Sequence, residues 1–134
     1  MADAVTSTTL SDGDRSAVIQ LTNTSDSTGE SAVTKIDVSA LAPRVSDGAP
    51  CTGCRLAKII YSTNGMSVKL LWDATVDTIC YDIPANFSDS EDFSEYGGLR
   101  NTSTTGKTGD IKLTTGSASS GDTYVIVIHV FKEF

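Results

Sequence analysis

The sequence is short of positive charge: ten Lys and Arg stand against seventeen Asp and Glu, a net charge of −7. Nucleic-acid binding draws on cations that displace counterions from phosphates, and adhesion to an anionic bilayer needs the same side chains. Neither partner is expected. Histidine occurs once, at His129. No nucleophile and orienting group can be placed around it from sequence, so no enzyme is expected. Apolar runs are short as well. The longest, Tyr124-Val125-Ile126-Val127-Ile128, has the length of a strand and falls far below the roughly 18 residues of a membrane span. The segment Met1 to Thr6 has neither a basic nor an apolar stretch, so secretion is not expected, and the sequons at Asn23, Asn86 and Asn101 carry no weight. A sustained 3.6-residue apolar period is missing too, leaving room for at most one helical turn within 89–96.

What is present is a β vocabulary of Thr, Ser, Val and Ile punctuated by eleven Gly, in a length of 134 residues that suits one domain. Val18 to Thr22 alternates with Ile19 and Leu21 on one face, and Ala32, Thr34, Ile36 and Val38 share a face opposite Lys35 and Asp37. Leu56–Ser62 and Met66–Asp73 flank Asn64-Gly65, a pair suited to a type I′ turn, and are expected to form a hairpin with Met66, Val68, Leu70 and Trp72 on one face. Ile79, Tyr81 and Ile83 alternate in a third arm that Pro84 ends. Residues 85–108 read as an acidic, Gly-rich loop, and strands resume at 110–115 and 123–131. The prediction is an all-β, single-domain β-sandwich or jelly-roll-like barrel of about seven to eight short antiparallel strands. Residues 1–12 are expected to be a flexible N-terminal arm, with Val5 and Leu10 its only sizeable apolar groups, and 13–134 the sandwich.

Several motifs invite chemistry that their surroundings do not support. Cys51-Thr52-Gly53-Cys54 has metal-ligand spacing, but only Cys80 and His129 remain to complete four ligands and neither belongs to a close pair. Thr105-Gly106-Lys107-Thr108 matches the end of a phosphate-binding loop, yet Asn101 stands where the first glycine belongs and a strand follows. Asp89, Glu91, Asp92 and Glu95 miss the spacing of a calcium loop. No cofactor and no metal are expected.

The last strand carries the sequence's most direct functional signal. Tyr124, Ile126, Ile128 and Val130 line one face and Val125, Val127, His129 and Phe131 the other, so both faces are largely apolar. A sandwich strand turns one face to water. Either this strand is central and covered on its outer side, or Val125, Val127, His129 and Phe131 form a contact surface for another chain.

The chain as a whole resembles the small decoration, or cement, proteins of tailed-bacteriophage heads. The resemblance lies in the plain start Met1 to Ser7, in Thr24-Ser25-Asp26-Ser27-Thr28-Gly29-Glu30-Ser31 running into Ala32 to Leu41, in Trp72-Asp73-Ala74-Thr75, and in Ser120-Gly121-Asp122-Thr123-Tyr124. It implies a β-sandwich present in many copies on the capsid exterior, made in the host cytoplasm. The implied partner is the major capsid protein, bound by a homo-oligomer, with a trimer favoured over a dimer. The arm with Val5 and Leu10 would then be a capsid-binding arm. A tail, neck or head–tail joining protein is the nearest alternative. A carbohydrate-binding module is a second, for which Tyr61, Tyr81, Phe87, Phe93 and Tyr96 are the available aromatics.

Overall fold

A computed structural model describes residues 3–134, and the chain folds as an all-β sandwich of two antiparallel sheets. The strands are β1 (Ala4–Asp12), β2 (Ser16–Thr24), β3 (Val33–Ile36), β4 (Gly53–Asn64), β5 (Ser67–Trp72), β6 (Thr78–Ile83), β7 (Ser88–Asp92), β8 (Ile111–Gly116) and β9 (Thr123–Glu133). Five of them form one sheet in the order β1-β2-β9-β4-β7, and four form the other in the order β3-β8-β5-β6. Short 3-10 turns at Val38–Ala40 and Ser94–Tyr96 are the helical elements among the described residues.

Period-two burial builds the core. Ile19 and Leu21 of β2, Ile59 of β4, and Ile126 and Ile128 of β9 face Val68, Leu70 and Trp72 of β5, all of them buried. Each sheet is apolar on one side and half-wet on the other, so stacking the two is the way both apolar sides leave water. A buried polar knot closes one end. The Glu30 carboxylate accepts hydrogen bonds from the Tyr124 hydroxyl (2.6 Å) and Asn23 Nδ2 (2.7 Å) and pairs with Lys35 Nζ (2.5 Å). Asn23 Nδ2 also donates to Asp3 (3.1 Å), whose carboxylate takes the N–H groups of Asp26 and Gly29. At the other end Lys132 buries its side chain completely and donates to Asp12, to the Gly13 carbonyl (2.6 Å) and to the Ala42 carbonyl (3.0 Å).

Among the described residues nine strands form where seven or eight were expected, and the two additional ones correct the reading of the arm and of one loop. Residues 4–12 are an edge strand paired with β2 over nearly its whole length instead of a free arm, although every side chain on it is exposed. Met1 and Ala2, the start of that expected arm, lie outside the described residues. Within the expected loop 85–108, Ser88–Asp92 is a strand because its backbone completes the ladder of β4. The Asn64-Gly65 hairpin is also corrected. β4 pairs with β7 and β9, and β5 with β6 and β8, so Asn64-Gly65 is a corner that carries the chain between the sheets. Both arms are apolar on one face, and facing each other across the core buries both at once. Gly65 has φ +90°, and a Cβ there would stand 2.1 Å from Asp122 Oδ1. In β6 a bulge breaks the expected alternation by pairing Leu70 with Tyr81 but Leu71 with Ile79. Ile79 is left 54% exposed while Cys80 packs against the core.

Candidate functional site: the outer face of the five-stranded sheet

β9 is the central strand of its sheet, hydrogen-bonded to β2 on one side and β4 on the other. Its inner row of Tyr124, Ile126, Ile128 and Val130 is buried. Its outer row is the one singled out in the sequence, and no element among the described residues covers it: Val125 is 43% exposed, and Val127, His129 and Phe131 are half-buried by their neighbours in the sheet. The register assembles the rest of the face. Val127 lies between Gln20 of β2 and Ile60 of β4, Val125 between Thr22 and Ser62, and His129 between Val18 and Lys58. His129 and Phe131 meet edge to face, with ring centroids 5.5 Å apart. At the β1 side the Thr6 and Thr22 hydroxyls share a hydrogen bond.

The charge of this face differs from that of the whole protein. Its charged groups gather at one end, where Arg55 pairs with Glu133 (3.2 Å) and Lys58 stands opposite Asp92 in the ladder. The remainder is chiefly Val, Ile, Thr, Ser and Gln, with His129 and Phe131. A protein with a net charge of −7 therefore presents one broad surface that is close to neutral and apolar along its middle. Ile60, 46% exposed, belongs to this surface and was missed from sequence. The available signal was the adjacent pair Ile59-Ile60, which makes β4 apolar on both faces as β9 is.

The structure does not place Val5 and Leu10 with this row. Val5 pairs with Asn23 and so points to the inner side of β1, 45% exposed, because the four-stranded sheet does not extend that far. Leu10 occupies the bulge between Thr9 and Ser11 and is 55% exposed.

The five aromatics come together along the opposite edge of the sheet. Tyr61 touches both Phe87 (6.3 Å between centroids) and Tyr81 (6.2 Å), Tyr81 touches Phe93 (5.9 Å), and Phe93 touches Tyr96 (6.4 Å). The planes are inclined to one another by 31–66°, so the rings form a ridge instead of a flat platform. Burial pushes the Tyr81 phenol up to about 12, with Tyr61 and the carboxylates of Glu91 and Asp89 adding to the shift.

The cysteines are free thiols. Cys51 donates to the Gly53 carbonyl (3.1 Å) and Cys54 to the Gly109 carbonyl (3.5 Å), and burial raises both above the ordinary thiol value. Burial pushes Cys80 up to about 12. Among the described residues no group of three or more His, Cys, Asp or Glu is placed to hold a metal ion. No family model, no curated protein and no solved structure matches the chain.

Proposed function

We propose that this chain is a virion structural protein of the decoration type. It binds the outside of a phage head as a homo-oligomer, a trimer in preference to a dimer, and stabilises the shell by bridging subunits of the major capsid protein. The observation that carries the reading is the outer face of the five-stranded sheet. A central strand that is apolar on both sides, with Val125, Val127, His129 and Phe131 facing outward beside Ile60, suits burial against other protein. An acidic remainder keeps such a protein soluble and away from packaged nucleic acid. Each copy in an oligomer needs only weak contacts, because linking two or three raises avidity by about 10² to 10⁴.

Light scattering on the purified protein and on Val127→Asp tests self-association. The wild type is expected to scatter as an oligomer at micromolar concentration, and the variant as a monomer with an unchanged melting midpoint, since Val127 lies outside the core. A monomeric wild type refutes assembly through this face. Quantitative mass spectrometry of virions that encode the chain tests location: a copy number in simple proportion to the major capsid protein supports the head, and a handful of copies per particle places it in the tail or neck.

A further inference from the structure

Apart from the outer face, the sheet has a second surface with its own chemistry, the edge formed by β7. β7 closes the five-stranded sheet on the β4 side, so one line of its backbone N–H and C=O groups has no strand beside it. The ladder sets Asp89 opposite Tyr61 and Glu91 opposite Ile59, which puts both carboxylates on the side of β7 that holds the aromatic ridge. Among the described residues no ion pair reaches Asp89, Glu91 or Glu95. Asp89 accepts one local hydrogen bond, from the N–H of Ser90 (2.8 Å). The ridge runs from Phe87 before the strand to Tyr96 after it, and these ends are 47% and 63% exposed.

Acidic side chains on an edge strand commonly serve as a guard, since two such edges repel each other and cannot pair. A guard accounts for the carboxylates but not for five rings in contact beside them, two of them open to solvent. Together the features make a recognition edge. Backbone groups with no strand beside them among the described residues offer a ladder once the Ser90 N–H exchanges its local bond to Asp89 for a partner. Carboxylates at every second position offer charge, and ring faces accept cations and the aliphatic stems that carry them.

We propose that β7 is a docking strand for an extended basic segment of a partner protein, with Lys or Arg at alternate positions facing Asp89, Glu91 and the aromatic ridge. Charge selects this occupant. A second copy of the chain would set acid against acid, whereas cations at a two-residue spacing meet both carboxylates on one side of the added strand.

The test is a titration of the isotope-labelled protein with a synthetic peptide that alternates Lys and Val, followed by amide chemical shifts at low and at physiological salt. Shifts are expected to concentrate at 87–96 and to weaken with salt. Asp89→Asn or Glu91→Gln should each loosen binding about 2- to 5-fold, and both together about 10-fold, the scale of exposed charge pairs. Tyr96→Ala should loosen it while leaving the melting midpoint unchanged. Equal binding of a peptide with Glu in place of Lys, or no shift at 87–96 with the Lys peptide, overturns the proposal and leaves β7 as a guard. Salt-insensitive binding of a neutral oligosaccharide that Phe87→Ala and Tyr96→Ala abolish, with the Lys peptide inert, makes the ridge a sugar site and likewise overturns it.

Discussion

Replacing Lys132 by Met tests whether the buried clamp at the end of β9 holds this sandwich together. The ammonium group is sealed from water and shared among Asp12, the Gly13 carbonyl and the Ala42 carbonyl, which ties β9 to the β1–β2 turn and to the loop after β3. Methionine keeps the stem and its packing but leaves the acceptors behind. Asp12, with a quarter of its side chain exposed, can take water, so its loss is small. Each carbonyl left unpaired costs about 1–3 kcal/mol, and removing the cation's own burial penalty returns part of that. The net expectation is a loss of about 3 kcal/mol. For a domain of 134 residues, unfolding entropy of about 2.1 cal/mol/K per residue turns this into a fall of about 10 °C in Tm. The control is Lys58→Met on the outer face, where the change should stay within about 0.5 kcal/mol. Calorimetry and urea denaturation measure both. If Lys132→Met matches the Lys58 control, the carbonyls find other donors and the clamp contributes nothing.

Gly65→Val should destabilise the fold by about 2 kcal/mol or more, because a β-branched residue resists positive φ and its Cβ would displace Asp122; an unchanged urea midpoint would show that the corner can be rebuilt. Acid should weaken the protein only at low pH. Hydrogen bonds from Lys112 and Thr108 hold Asp73 below the usual carboxylate range, and at Asp12 the bonds from Lys132 and Ala42 outweigh the upward push of burial. A depressed folded-state value stabilises fully above the unfolded value near 3.9 and loses that contribution as pH falls through the folded value. Stability against urea should hold down to about pH 5 and then decline, offset in part by Asp110, which burial raises and which therefore gains on protonation. Rising stability below about pH 4 would reverse the assignment. Deleting residues 1–11 removes most of an edge strand with no buried side chain, and Asp3 with it from the polar knot, but leaves the apolar core intact, so a folded product is expected by near-ultraviolet dichroism; collapse would mean that pairing with β2 and the Asp3 contacts together hold the sheet.

How far the sequence revealed the structure depended on whether side chains or backbone made the decision. β9 was legible in part: apolar residues on both faces left open a central strand covered on its outer side or a strand that offers that side to another chain, and the fold makes it central with its outer row partly open. Its outward row followed by alternation alone. β7 was not legible, since Ser-Asp-Ser-Glu-Asp has no apolar period and is a strand only because the backbone of β4 needs a partner there. Asn64-Gly65 announced a reversal correctly but could not say whether the two arms would pair or face each other. That choice rests on β9, some sixty residues later, taking the place beside β4. The aromatic ridge draws on residues from 61 to 96 and exists only after β4, β6 and β7 are in register.

The position of β9 also governs when folding can finish. As the chain is made, the β1–β2 pair is complete early, but β2 and β4, adjacent to β9 in space, have nothing between them until residues 123–133 have been made. Until then their ladder groups and apolar inner faces stay open, and the four-stranded sheet has no complete surface to pack against. Most of the sheet pairing joins residues far apart in the chain, which makes closure slow and exposes the waiting strands to wrong partners. A ribosome-stalled chain lacking β9 should therefore be open to protease throughout, and release of that strand should protect the rest together in one step.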